Sequence, residues 1–475
     1  MENRREFLKL VAASGGATLG AGLLRADEFV ADRNVLPPGS VGDPQNVWFG
    51  KHIFPLDRTM EDGPSAALAG GKVLQPAREI PVFHRTDVVV VGGGPAGFAA
   101  AIAAARTGAK VALVERYGSL GGLFTNGMVL IVLATSEYEN GRFRLVTRGV
   151  CEEFMKRAET LGADVTTPRP ADPGRHWQPT IDPEGAKYLM DRMIAEAKVD
   201  MFFHSWGVDV IQQGHAVKGV VFESKQGRQA ILAKQVVDCT GDGDVFFQAG
   251  ANYRQITHSL GFVTRLANID RITATVPPKG PDGKPLPGRW PTRSNEANKS
   301  LMWCGNLGPK GNGLDVRELS AAEIAHRREW WEHVRLMRKT PGWEEVALVN
   351  TCSQIGPRAT RLLDAECIVD RKVYAEGKTP EDVVALFGAD GQHHAALKVP
   401  YRALLPKGVD NVLAAGRCLG APDTIDTFRL IAPCFATGEA AGTAAGLSAL
   451  KGCAPRDLPY AELRRQLEKG GVCLA

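Results

Sequence analysis

Val88 to Val91 is an unbroken β-branched run and reads as a strand buried on both faces. A glycine-rich turn follows, and then Ala96 to Ala105, almost all small residues, predicts a helix. Lys110 to Glu115 repeats the buried-strand pattern. Asp182 as cap and Pro183 in the first turn start a helix that runs to Ala197. Met201 to Ile211 reads as a strand. Ala216–Glu223 and Gln229–Val237 read as a hairpin around Gln226-Gly227. The rhythm breaks over 257–400, where Pro277–Gly288 is a turn-rich loop and Ala321–Lys339 a helix rich in His, Trp and Arg. Arg358 and Arg361 are assigned to one face of a further helix. The pattern returns with a strand over 409–415, a second small-residue helix after Arg429 and a charged surface helix over 457–470.

Alternating strands and helices predict an α/β fold with a Rossmann-like sheet, joined to a second α+β domain. The 475 residues suffice for two or three domains. Residues 29–83 are proline-rich without periodicity and are expected to be extended. A net charge of +4, from 57 basic and 53 acidic residues without long single-sign runs, argues against nucleic-acid binding. The 9 cysteines are an odd number and contain no CxxC, which signals neither a disulfide framework nor a dithiol or zinc motif. Asn3-Arg4-Arg5-Glu6-Phe7-Leu8-Lys9, followed by a short, mildly apolar stretch, resembles a twin-arginine export signal. The expectation is a folded, exported, periplasmic protein with no transmembrane segment in its mature chain.

Gly92, Gly94 and Gly97 form GxGxxG between a strand and a helix. Gly92 permits the tight turn, Gly94 lets a diphosphate approach, and Gly97 lets helix and strand pack closely. Pro95 and Ala96 open the helix, whose free N–H groups favour an anion. Glu115 ends the next strand, where a carboxylate would accept from a ribose hydroxyl. Arg116 and a second glycine turn, Gly121-Gly122, suit a longer dinucleotide that needs another close backbone approach.

With Asp238-Cys-Thr240-Gly241-Asp242, Ala415-Gly416-Arg417 and Gly438-Glu-Ala-Ala-Gly442, the chain resembles the bacterial FAD-dependent oxidoreductases of the glutathione-reductase-like superfamily over roughly 84–452. The resemblance implies extended FAD. Asp238, Thr240, Gly241 and Asp242 would line it from a third region, Gly416 and Arg417 would approach its phosphate or ribityl part, and the helix carrying Gly438 would face the ring. The pattern along the chain divides it into a signal peptide (1–28), an extended segment (29–83), an FAD-binding domain (84–256 and 401–452), a substrate or cap domain (257–400) and a tail helix (453–475).

His258, His393 and His394 are candidates for proton transfer, and Arg361 and Arg429, with Arg358 behind them, for binding an acidic group. No spacing suggests a metal. The leading expectation is hydride transfer between a small organic substrate and FAD, with reoxidation by a separate acceptor. The alternatives are a flavin-dependent isomerase or lyase and a non-enzymatic flavin-binding module. The oligomeric state is open.

Overall fold

The computed structural model describes residues 66–286, 294–306, 308–372, 379–388 and 395–475. The expected signal peptide, most of the extended segment, His393 and His394 lie outside these residues.

The main layer is a mixed α/β sheet. Strand β1 (Val82–Val91) pairs in parallel with β2 (Val111–Val114), and β2 with β3 (Asp200–Phe202). Between β1 and β2 runs helix α1 (Pro95–Arg106), completing a parallel βαβ unit. Strands β4 (Trp206–Gln213), β5 (Ala216–Ser224) and β6 (Gly227–Asp238) form an antiparallel meander. The predicted strand over 201–211 is interrupted: His204 takes φ 53°, and the chain turns there before re-entering as β4. The long β6 belongs to both parts. Its first half pairs with β5, its last residues pair in parallel with β12 (Val412–Ala414), and β1 lies along its other edge. The C-terminal segment thereby returns to the first sheet.

Behind the sheet, helix α2 (Val150–Glu159), α3 (Pro183–Glu196) and α5 (Ile431–Lys451) pack with α1. The small residues of α1 and α5 permit close approach. A methyl on Gly438 or Gly442 would overlap the carbonyl oxygen of Ala96 or Ala100. Gly438 therefore serves helix packing, because its position faces α1 and not the space above the sheet.

The second hydrophobic core lies in the cap. Strand β7 (His258–Ala267) is its centre, bordered by β8 (Leu301–Asn306), β9 (Lys310–Gly311), β10 (Ala347–Thr351) and β11 (Gly356–Pro357), all antiparallel to it. Helix α4 (Val316–Met337) lies against them, capped by Asp315 several residues before the predicted start. The side chain of Arg265, in the middle of β7, meets Asp182 at 2.8 Å and Glu296 at 2.5 Å. The helix predicted for Arg358 and Arg361 is not present. Arg361 opens a strand paired with Tyr253–Gln255, and Arg358 follows β11, so the two side chains do not share a helical face.

Candidate functional site

Parallel strands open their carboxyl ends toward one crevice, the usual ligand position in such sheets. After β1 comes Gly92, after β2 Glu115, after β6 Cys239 and after β12 Ala415, and all four line a cavity of about 1110 Å³. The cap closes its other side with Gly261, Val263, Trp303 and Arg358.

The floor is main chain. Gly92 takes φ 96°, and a methyl there would meet the Cys239 carbonyl oxygen at 2.5 Å. A methyl on Gly97 would overlap the Gly92 carbonyl oxygen. The second glycine turn joins the first: Gly121 N–H donates to Gly93 O at 2.8 Å, and Gly122 reaches the wall beside Gly94. Gly121 itself lies behind that wall. Helix α1 starts at Gly94 and α5 at Leu430, both without a side-chain cap, and both starts border the cavity. Their free N–H groups and helix dipoles favour electron-rich groups there. Pro95 and Ala96 complete this part of the wall.

At one end sits Glu115, buried, accepting from Gly93 N–H at 2.6 Å and Tyr117 N–H at 2.9 Å. Burial raises its pKa, opposed mainly by those two amides. The Arg116 guanidinium stacks on Tyr117 at 4.8 Å and on Trp206 at 5.4 Å, and all three face the cavity.

The third segment divides. Thr240 and Gly241 reach the wall, whereas Asp238 does not line it. Asp238 is fully buried and accepts from Thr240, Val245 and Phe246 N–H groups, which closes the turn and caps the short helix Asp244–Gln248. Its carboxylate is committed within the protein and cannot line a cofactor. Asp242 likewise lies off the wall, bonded to Arg417 at 2.6 Å and Thr360 at 2.7 Å. Gly416 and Arg417 are on the wall, and Arg417 Nη1 is buried with no partner among the described residues.

Among the candidates for substrate chemistry, Arg361 is used structurally. It bonds Asp242 O and Asp244 and stacks over Phe247 at 4.1 Å. Arg429 lies on the wall and pairs with Asp426. His258 is half-buried outside the wall. Its Nδ1 accepts from Ser259 N–H at 2.8 Å, which leaves the neutral ring's proton on Nε2, facing Asp426 at 3.4 Å. Burial holds its pKa below the ordinary range, and Arg429, Arg358 and Lys310 add to this against Asp426. Cys239 and Cys434 line the wall, but burial pushes both thiols up, Cys434 to about 12, so neither is a thiolate at neutral pH.

Trp206 and Trp303 were not singled out from the sequence, whereas the start of the helix after Arg429 was expected to face the cofactor, and Leu430 lines the cavity. No local pattern marks the tryptophans. They meet the cavity only because the meander and the cap fold over it. Arg358 carried a weak signal, misdirected by the helix assignment. Among the described residues no group of His, Cys, Asp and Glu could hold a metal, and no helix is long and apolar enough to cross a membrane.

Known proteins share parts of this chain. Dihydrolipoyl dehydrogenase of Trypanosoma brucei brucei is 57% identical over 49 residues, 10% of each chain. Digeranylgeranylglycerophospholipid reductase 2 of Methanothermobacter thermautotrophicus is 32% identical over 158 residues, 33% of this chain and 39% of that one. The chain thus covers well under two thirds of these relatives. A solved geranylgeranyl bacteriochlorophyll reductase-like protein of Thermoplasma acidophilum is 14% identical, covering 81% of this chain and 83% of that one, with a TM-score of 0.41. The family described as "FAD dependent oxidoreductase" matches residues 87–467, most of the chain, and this protein belongs to it as an FAD-dependent enzyme.

Proposed function

We propose that the enzyme oxidises or reduces a small organic substrate by hydride transfer with FAD, in the cavity between sheet and cap. The observation that carries this reading is a single cavity that starts at the dinucleotide cradle and continues to the cap. Its volume, about 1110 Å³, exceeds the roughly 300–1,000 Å³ of ordinary small-molecule sites and leaves room for cofactor and substrate together.

The residues fit FAD. The cradle is one that added methyls would fill, two uncapped helix starts border the cavity, and Arg417 Nη1 lacks a partner among the described residues. Glu115 would accept from ribose, with Arg116, Tyr117 and Trp206 beside the base. The Gly92–Gly97 turn would hold the diphosphate. The α5 start would face the ring. Once bound, FAD supplies the hydride acceptor or donor. The chain's own contribution is to orient the substrate and to exclude water through the cap. A separate acceptor would complete turnover. The twin-arginine-like N-terminus supports export of the folded, flavin-loaded protein to the periplasm.

The test is an anaerobic absorption spectrum of the purified protein. Flavin bands that bleach when a substrate is added support the reading. A colourless protein that refuses FAD overturns it, and bound flavin that never changes redox state during turnover overturns the hydride step. For export, lysine at both Arg4 and Arg5 is expected to retain the protein in the cytoplasm, and unchanged location counts against the periplasmic assignment.

A further inference from the structure

The cap end of the cavity narrows the substrate's chemistry, on the premise that the chain is the FAD enzyme described above. Two guanidinium groups reach this end from separate parts of the fold. Arg429 precedes α5, and its Nε and Nη2 pair with Asp426 at 3.1 and 3.0 Å. Arg358 follows β11 and is fixed through its backbone N–H, which donates to Ser259 O at 3.2 Å. The Arg358 side chain, half-buried, has no hydrogen bond or ion pair among the described residues. Burial holds its pKa below the arginine range and the neighbouring Arg429 adds to this, with Asp426 pulling the other way. Asp426 is therefore the carboxylate shared by Arg429, His258 and the field of Arg358, and its side chain is 70% exposed. Positive charge against a partly apolar wall is unfavourable without a counter-ion. The apolar residues beside the two arginines are Pro357 and Leu430, with Val263 and Trp303 in the same cavity.

We propose that Arg358 and Arg429 form a fork for the carboxylate of the substrate, which makes the enzyme specific for an organic acid with an apolar body. Guanidinium groups bind carboxylates through paired, charge-assisted hydrogen bonds. A phosphate of the cofactor would offer the same anionic chemistry. The substrate is favoured because Arg358 hangs from the cap, whereas the diphosphate cradle is the Gly92–Gly97 turn and the bare start of α1.

The test titrates the flavin-loaded protein with benzoate and with its uncharged counterpart benzamide, following the flavin difference spectrum. Benzoate is expected to saturate and to bind at least about tenfold tighter than benzamide. Arg358→Met is expected to remove that preference, while FAD affinity stays within about twofold of wild type. Arg358→Lys, keeping charge but not the fork, should fall between. Benzoate binding no tighter than benzamide overturns the proposal, and this wild-type comparison stands even where a variant does not fold. A variant that loses FAD affinity while keeping the benzoate preference assigns Arg358 to the cofactor's phosphates and overturns it too. A wild-type chain that refuses FAD overturns the parent reading and this proposal with it. A flavin-loaded chain that does not distinguish acid from amide overturns this proposal alone.

Discussion

At the Gly92–Gly97 end, the cavity wall is mostly main chain: two glycine turns, the bare start of α1 and the turn at Thr240-Gly241. At the cap end it is side chain: Trp303, Arg358 and Arg429 around a small antiparallel sheet. A backbone wall tolerates almost no added atoms and binds what many dinucleotide proteins bind. A side-chain wall can change its chemistry by single substitutions without disturbing the sheet beneath. The first end therefore speaks to the cofactor and the second to the substrate.

The sharpest way to break this contrast is Gly97→Ala. The added methyl would overlap the Gly92 carbonyl oxygen, and neither helix nor strand can retreat while α5 presses on α1 from behind. We expect loss of bound flavin and about 3 kcal/mol or more of stability, read from flavin stoichiometry and denaturant unfolding. Full flavin content in this variant would show that the wall is less constrained than its geometry implies.

Arg265→Met probes the other side. It leaves Glu296, which is buried, without its cation, and removes the bond from β7 to Asp182 at the start of α3. We expect a loss of about 3 kcal/mol in unfolding free energy, since breaking a buried pair strands the remaining charge. Flavin stoichiometry should stay near wild type under stabilising conditions. Flavin loss as complete as in Gly97→Ala would mean that cap and cradle do not separate.

The same contrast explains what could be read from the sequence. Val88–Val91, the three glycines and Glu115 impose backbone conformations and buried runs that few other arrangements satisfy, so the βαβ unit was legible. The cap was not. Strand β7 carries Arg265 in its buried middle, and its partner Glu296 lies 31 residues along the chain, so the pattern of a buried strand is masked by an ion pair formed only in the fold. Arg358 and Arg361 illustrate a related failure. Their spacing suits a helix, but pairing with Tyr253–Gln255 holds that segment extended. Asp238 shows a subtler one. The family resemblance implied that it lines the cofactor, and only the neighbouring N–H groups reveal a cap.

Behind the cradle, Glu439 on α5 tests whether a buried side chain there acts on stability alone. It is buried and accepts from Val150 N–H at 2.9 Å, and burial raises its pKa from 4.5 to about 8. The folded chain therefore holds a proton that the unfolded chain releases above about pH 4.5. This contribution is fully present below that pH and is lost as pH rises toward about 8. Between pH 5.5 and 7.5 the wild type should lose about 2 kcal/mol more than Glu439→Gln, whose amide can still accept from Val150. Parallel pH profiles for the two proteins would place the carboxyl in a wetter setting. FAD affinity is expected to be equal in both.

The smallest effect is expected at Glu115, the carboxylate that sits with Arg116, Tyr117 and Trp206 at the mostly main-chain end. Glu115→Gln keeps one carbonyl oxygen for Gly93 or Tyr117 but removes the charge and the second acceptor. If the backbone carries most of the cofactor's binding, this variant weakens FAD about tenfold, near 1.4 kcal/mol, and leaves the fold intact. Flavin fluorescence titration measures it directly. A loss as large as that of Gly97→Ala would mean that recognition at this end rests on a carboxylate, and the division between a backbone-built and a side-chain-built end would fail where it looks strongest.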